Sequence, residues 1–290
     1  MAMSRSWSVP FLGAWAPVQM IYGKDIGRKH VQGYENGAAM PLLRNFPPNS
    51  PPKCFKLKEP VLEVMTNMPI YNANLLRINA KETRRYAGLR KAENFDEALI
   101  EEACAEALLL AEPRGIWQRY GYLEAGQLLA ADPPLAIEGA AIGSHLAGCD
   151  QAVVLAVTVG EAIEQAVTRH FDEGNYAYAV LLDAAATAAV EQAADALEKA
   201  IRPQLAREGY AMRWRFSPGY GDWPLRQQPE LLRVTRAAEI GIRLSDSLML
   251  LPRKSITAIL PLARAAACAG KQTPHGCAIC PQRDCPSRRE

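Results

Sequence analysis

The 290-residue chain has no apolar run approaching the roughly 20 residues that a membrane-spanning helix needs, so no helical span is expected. Net charge is almost absent: 33 basic against 31 acidic residues leave +2. Such a balance gives no global field to gather nucleic acid or an anionic membrane. The basic residues of the C-terminal end, Arg283, Arg288 and Arg289, are too few for a nucleic-acid surface and have no aromatic side chains interleaved with them. The first twenty residues hold no unbroken apolar core, because Pro10 and Pro17 interrupt them, so a signal peptide is not expected. No internal repeat is visible. No general acid or base stands out either, since His145 and His170 are isolated on expected helices.

Cysteine is present in a pattern of its own. There are seven, an odd number, and Cys277, Cys280 and Cys285 fall within nine residues, with Cys268 just upstream. Clustering of this kind fits a reduced compartment, the cytoplasm, and a metal better than a secreted disulfide framework. The C-x8-C-x2-C-x4-C spacing could close a tetrahedral site around zinc or hold an iron–sulfur cluster, and His275 could replace Cys268 as the fourth ligand.

Three regions are expected. Residues 1–60 form a low-order extension that ends in the proline-rich linker NFPPNSPPK, and Cys54 and His30 within it are given no role. Residues 61–262 form the domain, and 263–290 the cysteine-rich, metal-binding tail. Within the domain, 68–79 reads as extended, and a short helix starts at Ala80 and stops at Gly88. Asp96 caps a helix that carries Leu99, Ala103, Ala107 and Leu110 at helical spacing. Residues 116–125 read as a strand, 128–137 as extended chain around a Pro-Pro turn, and 139–148 as a short helix. The continuous apolar run AVVLAVTVG, 152–160, predicts a strand buried on both faces. Helices follow over 161–171 and over an alanine-rich stretch from Asn175 to Leu205, with a break expected at Pro203. A strand over 210–216, a helix over 229–241 and strands over 244–251 and 254–262 complete the domain. Strands and helices mix without regular βαβ alternation. The fold class expected is α+β, a twisted, largely antiparallel sheet with packed helices.

One stretch departs from its aliphatic surroundings: RFSPGYGDWP, 215–224. A strand that ends in Arg215 places a permanently charged fork at the sheet edge, suited to a carboxylate or carbonyl. Pro218 and Pro224 stiffen the bend, while Gly219 and Gly221 permit positive φ or close approach to a ligand. Tyr220 adds an aromatic face that can pack on an adenine or a sulfonium. Composition leaves two readings open: a ligand loop, or a rigid turn with Trp223 in the core.

This stretch resembles the R-x-x-P-G-Y-x-x-x-P segment of the activation (reactivation) domain of vitamin B12-dependent methionine synthase. DSLMLLPRKSITAI, 246–259, resembles the hairpin that follows it in that family, with Pro252 and Ser255 at corresponding places. AAVEQAADAL, 188–197, resembles the long family helix that carries a ligand-facing glutamate. The likeness covers about residues 150–262, and extends more loosely to stand-alone versions of the domain from Leu62 to Asp150.

The resemblance implies S-adenosylmethionine bound in extended form across the sheet. Arg215 would engage the methionine carboxylate, Tyr220 and the Pro218–Gly219 backbone would line the adenosine and sulfonium, and Glu191 would meet the polar end. It also implies cobalamin on a partner. No D-x-H-x-x-G cobalt-binding sequence occurs in this chain, so the corrinoid would sit on a separate methionine synthase subunit. The family's N-terminal acidic ligand contact has no evident counterpart. The implied role is accessory to a methyltransferase, supporting reductive methylation of the corrinoid in methionine biosynthesis, with an electron donor protein as a further partner. The alternative is a metal-stapled or iron–sulfur electron-transfer module of the same fold that binds no methyl donor.

Overall fold

The computed structural model describes residues 70–264, apart from 90, 91, 93 and 94. The chain enters with Tyr71 bridged to Gly115 through a reciprocal pair of backbone hydrogen bonds of 2.8 and 2.7 Å. It continues through α1 (Ala80–Tyr86), α2 (Glu97–Leu110), β1 (Arg114–Leu123), β2 (Leu128–Leu129), β3 (Leu135–Ala136) and α3 (Ala140–Leu146). Next come β4 (Gln151–Thr158), α4 (Ala162–Asp172), α5 (Tyr176–Arg207), β5 (Tyr210–Met212) and α6 (Gln228–Thr235). A small hairpin of β6 (Arg243–Leu244) and β7 (Leu250–Leu251) leads into β8 (Ser255–Arg264). Among the described residues, six strands form one sheet in the order β3-β2-β1-β4-β8-β5, and every pairing is antiparallel. The class is α+β.

Helices cover both faces of the sheet, so β4 is apolar without alternation. Val153, Leu155 and Val157 point into a core shared with α1, α2, α4 and α5. Ala152 and Val154 point the other way, towards α3, α6, Phe216 and Trp223. The long α5 lays eight buried alanines, Ala179, Ala184 to Ala186, Ala188, Ala189, Ala193 and Ala194, on the first face. Small side chains bring its backbone close to the strands, and alanine costs the least to hold in a helix.

Caps set several boundaries as expected. Asp96 accepts from the Ala98 amide at 2.9 Å, Asn79 accepts from Glu82, and Gly88 and Gly148 take positive φ just beyond α1 and α3. Four expectations need correction. First, α5 does not break at Pro203 but runs on to Arg207, because buried Ile201 and Leu205 anchor its last turns to the core. Second, the helix expected over 229–241 divides at Arg236, which adopts φ of 60° and separates α6 from a 3-10 turn. Third, 244–251 is a hairpin and not one strand. The Ser245 amide donates to the Met249 carbonyl at 2.9 Å and the Ser245 hydroxyl accepts from the Met249 amide at 3.1 Å, which closes a tight turn through Leu248.

The fourth correction positions the candidate site. The expected strand 210–216 is regular only to Met212. Tyr210, Ala211 and Met212 pair with Arg264, Ala263 and Leu262, but the next bridge joins Phe216 to Ile259. Three residues of one strand therefore oppose two of the other, which is a β-bulge. It falls at Pro261. The Pro261 carbonyl accepts from the Arg213 amide at 3.0 Å, but proline has no N–H to return the bond. The bulge carbonyls find other donors: His145 Nε2 donates to the Trp214 carbonyl at 2.8 Å and Arg202 to the Met212 carbonyl at 3.3 Å.

The extra residue reverses the strand's facing. Tyr210 and Met212 face α5, and an unbroken period of two would send Trp214 and Phe216 the same way and Arg215 to the opposite face. Instead Trp214 and Phe216 pack into the second core, and Arg215 is delivered to α5.

Candidate functional site

Arg215 leaves the bulge and meets three carboxylates of α5. Its Nη2 donates to Glu191, and its Nη1 donates to Glu198 and to Asp195, the latter at 2.7 Å. Positions 191, 195 and 198 fall on one face of a helix, so the fork lies across a single acidic stripe. The guanidinium is mostly buried, with 20% of the side chain exposed. Burial lowers its pKa, but the three carboxylates more than offset this and leave it raised.

The anions share one cation among them. Burial raises the Glu198 pKa, and Arg215 only partly opposes this while Asp195 adds repulsion, so the net shift is upward. The cation gains from every carboxylate and each carboxylate gains only a fraction in return, which explains why both partners shift upward. With all four groups ionised the cluster carries two excess negative charges.

A carboxyl with a raised folded-state pKa binds its proton more readily in the folded state, so its contribution is present at low pH and is lost as pH rises through the raised value. Glu198→Gln is expected to be at least as stable as the wild type at pH 7. Its advantage should disappear as pH falls from that raised value towards 4.5, the ordinary glutamate value. Thermal melts across pH check this; a Gln variant that is less stable at pH 7 and equal at low pH would show the opposite sign.

Tyr220 stands beside the cluster, half exposed at 50%, at the tip of the loop that follows the bulge. Desolvation of its hydroxyl and the nearby Glu191 and Tyr86 raise the phenol's pKa against the lowering effect of Arg215. Inside the loop the Gly219 amide donates to the Trp223 carbonyl at 2.8 Å, and the Trp223 amide to the Tyr220 carbonyl at 3.0 Å. Gly219 and Gly221 take φ of 90° and 55°, which a side chain would strain. Trp223 is fully buried, and its indole N–H donates to Gln227 at 2.5 Å. Asp222 receives the amides of Ala140 and Ala141 at 2.7 and 2.9 Å and so caps α3. The stretch is therefore a rigid turn that also holds Arg215 and Tyr220 on one surface.

Of the residues singled out from sequence, Arg215 and Glu191 are in direct contact, with Tyr220 next to them. Gly219 is exposed and Pro218 is buried. Cys268, Cys277, Cys280, Cys285 and His275 lie outside the described residues, as does the whole 1–60 region. Among the described residues, no group of His, Cys, Asp and Glu is placed to hold a metal, and no helix is long and apolar enough to cross a membrane. His145 is a core residue and His170 lies 3.4 Å from Glu106. Sequence reasoning missed Asp195, Glu198, Tyr86 and Asp222. The first two were signalled by their helical spacing from Glu191, the others by nothing local.

Clefts of about 490 and 330 Å³ lie elsewhere, one between α1 and α2 and the other beside α3, and neither is lined by Arg215, Glu191 or Tyr220.

No protein-family model and no curated protein matches the chain. Among solved structures, the crystal structure of the MetH reactivation domain bound to AdoHcy is similar to it. The TM-score is 0.47 and the identity 14%, covering 68% of this chain and 79% of that one.

Proposed function

We propose that the domain binds S-adenosylmethionine and acts as the reactivation component of a cobalamin-dependent methionine synthase whose corrinoid is held by a separate subunit. One observation carries the reading. Two stretches that resemble the activation family at separate places in the sequence, 188–197 and 215–224, meet in space through Arg215 and Glu191, with Tyr220 exposed beside them.

The chemistry of the cluster fits the ligand. S-adenosylmethionine carries a carboxylate, an ammonium and a sulfonium, a net charge of +1. The guanidinium suits the first, the acidic excess suits the two cations, and the phenol face suits the sulfonium or the adenine. The protein's work would be orientation: fixing the amino-acid end so that the sulfonium methyl faces outward, where a partner docked beside the half-exposed Tyr220 can reach it. With the electron supplied by a donor protein, the corrinoid would provide the cobalt nucleophile and the sulfonium would give up its methyl group and leave as S-adenosylhomocysteine, so no general acid or base of this chain is required.

The test is to incubate the protein with a reduced corrinoid protein and S-adenosylmethionine labelled in the methyl group. Label is expected on the cobalamin only when this protein is present. Transfer at the same rate without it would overturn the role.

A second reading has its own support. Arg215 is satisfied by carboxylates of its own chain, so the cluster could serve only as a staple between α5 and the bulge, in a binding or electron-transfer module without a methyl donor. A rise in melting temperature with S-adenosylmethionine favours the first reading, and no change favours the second.

A further inference from the structure

Two of the three carboxylates crowd one nitrogen. Asp195 and Glu198 both accept from Arg215 Nη1, while Nη2 goes to Glu191. Their surroundings differ. The Glu198 side chain is 12% exposed and held inside the cluster, whereas that of Asp195 is 53% exposed and approaches from the solvent side. A carboxylate that reaches a guanidinium from solvent has the position and chemistry of the carboxylate of an amino-acid ligand.

We propose that Asp195 is an internal competitor at this site. It takes the donor of Arg215 that a ligand carboxylate would use, and it must turn away when that ligand binds. The inference rests on the methyl-donor reading above, and it assigns Asp195 a role in setting affinity rather than in the transfer itself.

The sign of its effect separates competition from simple attraction. An aspartate that acted only through its charge would help to hold a cationic ligand, and its neutralisation would weaken binding. A competitor does the reverse for ligands that carry a carboxylate, and only for those. The size follows from exposure: a solvent-exposed ion pair amounts to a factor of about two to five in an equilibrium.

The experiment compares Asp195→Asn with the wild type, using two probes in calorimetric titrations. One probe is S-adenosylmethionine. The other is decarboxylated S-adenosylmethionine, which keeps the sulfonium and the amine but has no carboxylate. Asp195 is exposed, so the variant is expected to keep the wild-type melting temperature. Asp195→Asn should bind S-adenosylmethionine about two- to five-fold more tightly, with no gain for the decarboxylated probe. Equal affinity, or weakening of both probes alike, would overturn the competitor role and leave the methyl-donor reading standing. A wild type and a variant that bind neither probe would remove both.

Discussion

Trp223→Ala is expected to lower the stability of the domain by about 3–5 kcal/mol, the usual range for removing a buried indole. The side chain is 1% exposed, is among the largest fully buried ones, and packs 6.1 Å from the Phe216 ring. For a domain of this size that is a fall in melting temperature of roughly 6–20 °C. The loss should extend beyond packing. Trp223 anchors the loop whose Gly219 amide donates to its carbonyl, and the neighbouring Asp222 caps α3. Trp223→Phe keeps much of the apolar surface but loses the bond to Gln227, and should cost clearly less. Thermal or denaturant melts read both, and an alanine variant within 1 kcal/mol of wild type would show that the indole is not holding the second core.

Arg215→Gln should weaken S-adenosylmethionine binding about tenfold. A charge-assisted hydrogen bond contributes about 1.5–3 kcal/mol. The guanidinium is already paired in the free protein, so only the surplus of ligand over internal carboxylates is lost, which places the effect near the lower end. The same substitution leaves Glu191, Asp195 and Glu198 without their shared cation. Burial and the nearby Asp195 already raise the Glu198 pKa, and with Arg215 no longer opposing them the variant should be less stable at pH 7 than at pH 5. Titration calorimetry and melts at the two pH values separate these effects. Unchanged affinity in a folded variant would remove Arg215 from the ligand site.

The parts of the fold legible in sequence were those fixed by neighbours along the chain. Asp96 announced a helix start, Gly88 and Gly148 announced helix ends, and the β-branched run at 152–160 could only be a strand covered on both faces. The bulge was of another kind. It arises because Pro261, some fifty residues beyond Met212, lacks the N–H that would keep the ladder regular, and neither segment reveals this alone. The missed bulge mattered, since a regular strand would have turned Arg215 away from Glu191. The helix through Pro203 was likewise decided by a tertiary anchor, the burial of Ile201 and Leu205, which outweighs one lost hydrogen bond.

The candidate site was half legible for the same reason. Arg215, Tyr220 and Glu191 were marked by residue type and motif. Asp195 and Glu198 belong to the site only because α5 presents them on the side to which the bulge delivers a guanidinium. Trp223 and Asp222 show that one short stretch can brace a core and cap a helix while holding its arginine against α5 and its tyrosine half exposed beside it.

The central claim is that the surface around Arg215, Glu191 and Tyr220 takes S-adenosylmethionine. Titrating the folded protein with that compound in a calorimeter tests it most directly. A saturable heat with one site per chain, reduced in Arg215→Gln, is the predicted result. A well-folded wild-type protein that gives no binding heat and no change in melting temperature would contradict it.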